Sequence, residues 1–107
     1  MNSDDLDIFI EKSNLIKLNL DKFNSDNDDI NKIKIFANSY IDKFEKLTID
    51  ELEEYSNKFK SLRALIKKIE YSKNTLSELN DIVTKLIDFN NDLIMSIIIS
   101  NLWKIWI

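Results

Sequence analysis

The chain reads as all-α, an antiparallel up-down-up-down bundle of four helices forming a single domain over residues 1–107, and three observations point there. Apolar residues recur at spacings of three and four in four separate blocks, the period of a helix with one buried face, and strict alternation is nowhere sustained. Gly and Pro are both absent, which removes the two commonest helix breakers and the Asn-Gly or Asp-Gly turn of a tight hairpin. A complete helix-start signal, Thr48-Ile-Asp-Glu51, stands in mid-chain. The missing residues carry reduced weight, because eighteen Ile, fourteen Lys and thirteen Asn against one Arg and two Ala are what an AT-rich genome writes.

The first helix is expected over residues 4–23 on the stripe Leu6, Phe9, Ser13, Ile16, Leu20, Phe23, with Ser3 or Asp4 as a cap and an acidic first turn that suits the helix dipole. It should stop at the six polar residues 24–29, which favour caps and turns. The second, 29–47, carries Ile30, Ile33, Ala37, Tyr40, Phe44 and Leu47. Its end is set by the capping box, in which the Thr48 hydroxyl accepts from the Glu51 amide and the Glu51 carboxylate accepts from the Thr48 amide, with Leu47 and Leu52 as a hydrophobic staple. The third, 49–73, runs through Leu52, Tyr55, Phe59, Leu62, Ile66 and Ile69. The fourth, 76–105, uses Leu76, Leu79, Val83, Leu86, Asn90, Leu93 and Ile97. The two stripes are out of phase, and Thr75-Leu-Ser-Glu78 offers a second capping box at the slip, so a break is expected there. One continuous helix from residue 49 onward is the alternative.

Composition excludes more chemistry than it suggests. With neither Cys nor His there is no zinc finger, thiol nucleophile, Ser-His-Asp triad or Glu-x-x-His di-iron site, so no enzyme activity, cofactor or metal is assigned. Asp26, Asp28 and Asp29 cluster, but no EF-hand register places Gly at position six and Glu at position twelve. Asp81, Asp88 and Asp92 share one face of the fourth helix, off the apolar stripe, and read as a wet surface. Lys58, Lys60, Arg63, Lys67, Lys68 and Lys73 form a basic stretch. A net charge of −4 and a single arginine argue against nucleic acid, and cations are favoured near a helix end in any case. Asn90 occupies a stripe position where an apolar residue belongs, and is expected to be partly exposed.

One segment is anomalous. Eleven of the fifteen residues from Leu93 to Ile107 are apolar, on every face of a helix, whereas a bundle member needs one apolar face. As a helix the segment spans about 22 Å, short of the roughly 30 Å hydrocarbon core, and Asp88 and Asp92 block its extension, so a transmembrane anchor is not expected. The fourth block is also longer than the first two, so its end should overhang the bundle. Ile98, Leu102, Trp103, Ile105, Trp106 and Ile107 are therefore the candidate interface, with the two indoles suited to anchoring a contact. The expected function is a small helical interaction module, of the adaptor, inhibitor or assembly-subunit kind, that binds a protein partner or itself through this segment, with no small-molecule substrate. The alternative is a toxin-neutralising or membrane-perturbing factor that lays residues 93–107 on a membrane surface, where indoles are also enriched. The N-terminus carries Asp4, Asp5 and Asp7 before its first cation and lacks a signal-peptide pattern, so a cytoplasmic location, with peripheral membrane contact as an option, is expected.

Overall fold

A computed structural model describes the backbone of residues 3–106 and the side chains of residues 4–102. Four helices follow one another with no strand among the described residues: α1 (Ser3–Asp21), α2 (Asp28–Lys43), α3 (Ile49–Ile66) and α4 (Lys73–Trp106), with a single 3-10 turn, Phe44–Lys46, ending α2. The four apolar stripes are the faces that the fold buries. Phe9, Ile16 and Leu20 of α1, Ile30, Ile33, Ala37 and Tyr40 of α2, Leu52, Phe59 and Ile66 of α3, and Leu79, Val83, Leu86 and Leu93 of α4 join one core. Ser13, the polar member of the first stripe, is also buried, and its hydroxyl donates to the Ile10 carbonyl at 2.8 Å.

Side chains hold the end of α1 and the starts of α2 and α3. Asn27 caps α2, its Oδ1 accepting from the amides of Asp29 at 2.9 Å and Ile30 at 3.1 Å. The orphan carbonyl of Phe23, past the end of α1, is taken by the Lys34 ammonium at 2.9 Å. Both halves of the capping box at Thr48 are present: the Glu51 amide donates to Thr48 Oγ1 at 3.2 Å and the Thr48 amide donates to Glu51 Oε1 at 3.1 Å. Leu47 packs partly buried against the core, and Leu52 is fully buried.

The third helix is shorter than its stripe. Rather than running to residue 73, α3 stops at Ile66, and the chain turns through Lys67–Ser72 before α4 begins. The amides of Lys68 and Ile69 donate three residues back, to Leu65 and Ile66, tightening the last turn, and Ile69 is buried in the turn itself. Burial at a spacing of three does not distinguish a helix from a tight turn that folds its apolar residue inward, and Ile69 was legible only as the former. Thr75 consequently sits inside the first turn of α4 rather than capping it, and the Leu76 amide donates to the Ser72 carbonyl. Helices α3 and α4 are thus separate elements.

Seven rings lock the middle of the core. Phe9 of α1 meets Phe89 of α4 edge-on with centroids 5.4 Å apart, and Phe89 meets Phe44 and Tyr40 in the same manner. Tyr40 is also edge-on to Phe59 at 5.0 Å and lies 5.1 Å from Tyr55, while Phe36 of α2 packs on both rings of α3. Such pairs contribute about 0.5–1.5 kcal/mol beyond the area they bury, and here they connect all four helices.

The capping box yields a mutational test. Thr48→Ala should lower unfolding stability by about 1 kcal/mol, the usual worth of an N-cap. The Glu51 carboxyl is held below its ordinary range first by the Thr48 amide and then by the Thr48 hydroxyl. That stabilisation is therefore present above the unfolded-state value and lost as pH falls through the lower folded value. Titration of Glu51 by NMR in Thr48→Ala should show its midpoint moving up only part of the way, because the amide remains.

Candidate interaction surface at the end of α4

The position of α4 is set by one buried polar side chain. Asn90, expected at the surface, is fully buried, with 0% of its area exposed. Its Oδ1 accepts from the Tyr40 hydroxyl at 2.7 Å and its Nδ2 donates to the Leu52 carbonyl at 2.7 Å, so one amide joins α2, α3 and α4. The physical reason for the correction lies in the partners. A buried amide without them would cost several kcal/mol, whereas a phenol and a spare carbonyl lone pair satisfy both ends of this one. Burial, and secondarily the neighbouring Tyr55, holds the Tyr40 hydroxyl protonated well above the ordinary phenol range, as its donor role requires.

Past this junction the cover runs out. At 1.5 Å per residue the 34 residues of α4 span about 51 Å, against about 28 Å for the 19 of α1. The longest dimension of the molecule, 53 Å, is matched by α4 alone. Leu93 is the last buried α4 residue among those described; Ile94 and Ile97 pack on the core only in part, and Ile98 is half-buried. Met95, Ile99 and Leu102 are 54%, 58% and 50% exposed.

These three exposed residues belong to one line. Residues 81, 85, 88, 92, 95, 99 and 102 alternate spacings of four and three, which traces a single seam along a helix. Every member is exposed. Along the bundle the seam reads Asp81, Lys85, Asp88, Asp92; beyond it the seam becomes Met95, Ile99, Leu102. The outer face of α4 changes from charged to apolar at the level of Leu93, its last buried position among the described residues. On α1 a second exposed line carries Ile8, Leu15 and Leu18 but is interrupted by Glu11, while Ile35 on α2 and Leu65 on α3 stand singly.

Of the residues expected at the interface, the structure brings Ile98 and Leu102 to this region, half-buried and exposed respectively. Trp103, Ile105 and Trp106 have helical backbone but side chains outside the described residues, and Ile107 lies outside them altogether. Met95 and Ile99 were missed as site residues; the seam spacing continued from Asp81, Asp88 and Asp92 was the signal that could have found them.

Concave features are found between α1 and α4. Two neighbouring hollows, of about 490 Å³ and 310 Å³, share Asn19 and Lys85 in their walls. The larger is bordered by Lys22, Thr75 and Glu78, the smaller by Lys12, Leu15, Asp88 and Asp92. Their polar groups are of mixed charge and set on open rims, without the convergence on one point that chemistry requires. Among the described residues no three acidic side chains gather to hold a cation, and no helix is long and apolar enough to cross a membrane. The basic stretch is divided by the turn at Lys67–Ser72, and Lys58 lies 5.2 Å from the Tyr55 ring centroid. Compared with known proteins, the chain matches no family model, no curated protein and no solved structure.

The Asn90 junction generates an alkaline signature. A phenol whose folded value is raised contributes stability that is complete below its unfolded value, near 10, and is lost as pH rises through the folded value. Denaturant unfolding of the wild type should therefore weaken above about pH 10 by one more proton's slope than unfolding of Tyr40→Phe. At neutral pH Tyr40→Phe should cost about 1–3 kcal/mol, because it leaves the Asn90 oxygen buried without a donor. Equal stability of the two proteins across both pH ranges would remove the junction from the account.

Proposed function

We propose that this chain is a non-enzymatic helical interaction module that binds a protein through the overhanging end of α4. The observation that carries the reading is the apolar switch of the α4 seam at Met95, Ile99 and Leu102, half or more exposed beyond Leu93, the last buried position of the helix among the described residues. Contiguous exposed apolar surface on an otherwise charged protein marks binding sites. The indoles at Trp103 and Trp106, next in sequence, are the side chains most often found as anchors of such contacts.

The same reading takes the bundle as antiparallel, up-down-up-down. Two pairs between α1 and α2 support it, Lys17 with Asp42 at 3.2 Å and Lys34 with Phe23, since the residue number rises on one helix as it falls on the other. Short connections favour that topology. Its functional consequence is a rigid scaffold that presents one free helix end. The exposed Lys17–Asp42 ion pair adds little energy, as is general for surface pairs, and its value here is in register.

The test is the full-length double variant Ile99→Asp/Leu102→Asp. A contact surface predicts unchanged helix content, a melting temperature within a few degrees of wild type, and loss of hydrophobic-dye binding. Unfolding of the variant would mean that the segment is core, and the reading would fail.

A further inference from the structure

We infer that α1 is a latch that swings off the bundle as one unit while α2, α3 and α4 stay joined, uncovering an apolar strip of α4 around Phe89. The argument starts from which helices the buried polar junction binds. Asn90 ties α4 to the Tyr40 hydroxyl of α2 and to the Leu52 carbonyl of α3, and both of its bonds bypass α1. The polar side chain on the buried face of α1 is Ser13, whose hydroxyl donates to the Ile10 carbonyl of its own helix. Departure of α1 therefore breaks neither the Asn90 bonds nor the Ser13 bond, so it avoids the cost of stranding a buried polar group. The aromatic cluster survives as well. Six of its seven rings lie beyond α1 in the chain and contact one another, and Phe9 joins them edge-on at Phe89.

Packing agrees with this division. Helix α1 gives the core Phe9, Ile16 and Leu20, and both hollows, of about 490 Å³ and 310 Å³, open along its contact with α4. Side chains that border a gap lose dispersion contacts on that side. The Lys17–Asp42 ion pair linking α1 to α2 is exposed and holds little. The pivot is equally local. Lys34 donates to the Phe23 carbonyl at 2.9 Å, Asn31 Nδ2 donates to the Ser25 carbonyl at 3.0 Å, and Ser25 Oγ accepts from the Asn27 amide at 3.0 Å. These bonds fasten residues 23–27 to α2 and confine the swing to Asp21 and Lys22. There the last turn of α1 sets an aspartate and no cation at the negative end of the helix dipole. The swing bares Ile82 and Phe89, both buried in the closed form and seven residues apart on one face of α4, while the Asn90 junction keeps α4 in place.

Native-state hydrogen exchange of the full chain at low denaturant, read residue by residue, tests the latch. The amides of Phe9, Ser13, Ile16 and Leu20 should exchange through one shared opening. That opening should be at least about a hundredfold more populated than the global unfolding that frees the amides of Phe59, Leu86 and Leu93. A second readout uses the absence of cysteine from the chain. In the near-isosteric variant Ser13→Cys, a thiol reagent should label at least about a hundredfold faster than the global unfolding equilibrium of the same variant permits, because labelling follows the population of the open form. Exchange of the α1 amides only together with those of Phe59, Leu86 and Leu93 would overturn the inference, as would labelling of Ser13→Cys no faster than global unfolding allows. Fraying from the N-terminus, with Leu20 protected as fully as Leu86, would equally overturn it, since α1 would not then move as a unit.

Discussion

The hydrogen bonds of Asn90 decide how the longest helix is seated. An apolar stripe tolerates sliding by a turn, since Ile, Leu and Val substitute for one another at modest cost. A buried amide does not tolerate it, because a shift of one turn separates Asn90 from both Tyr40 and the Leu52 carbonyl and leaves the amide and the phenol dry. The seven-ring cluster around Tyr40 then packs at a fixed height on α4, with Phe89 next to Asn90 in sequence and edge-on to rings from α1, α2 and the 3-10 turn. Register and packing are coupled through one residue, as polar positions in helical assemblies are known to specify alignment.

From that seating the exposed surface follows by length. Leu93 is one turn beyond Asn90 and is the last buried position of α4 among the described residues, yet the helix continues for thirteen residues. A one-faced helix would end there or turn polar. This one becomes apolar all round in sequence, and its outer seam exchanges carboxylates for Met95, Ile99 and Leu102. Burial drives the core half of the helix. The remainder is kept helical by backbone bonding and by residues without Gly or Pro, with few neighbours to hold it. An uncovered apolar helix end at a fixed height is a surface suited to contact.

Much of the fold was legible because helical burial leaves a periodic trace. Apart from Leu6, the stripe residues of all four blocks are buried or packed on the core, and Thr48 with Glu51 formed the capping box that their spacing implied. Two features were not legible, for different reasons. The end of α3 was misplaced because Ile69 is buried in a turn at a spacing indistinguishable from a helix, and nothing in the residue itself separates the two. Asn90 was misplaced because its fate depends on Tyr40, fifty positions away on another helix. A phenol and an amide both lying on apolar stripes were the available clue, and pairing them required the three-dimensional arrangement. At the interaction surface, length and hydropathy indicated the overhang and Leu102, while Met95 and Ile99 emerged only when the exposed seam could be followed along α4.

Helix α4 leaves the core just after Leu93 while remaining helical. Residue-resolved amide hydrogen exchange on a dilute, monomeric sample tests it most directly, since protection follows burial and cooperative packing rather than secondary structure alone. The account predicts amides from Leu79 to Leu93 exchanging only through global unfolding, and amides from Ile98 to Leu102 exchanging much faster through local opening. Uniform protection from Leu79 through Leu102 in the dilute monomer would place the end of α4 inside the core and contradict it.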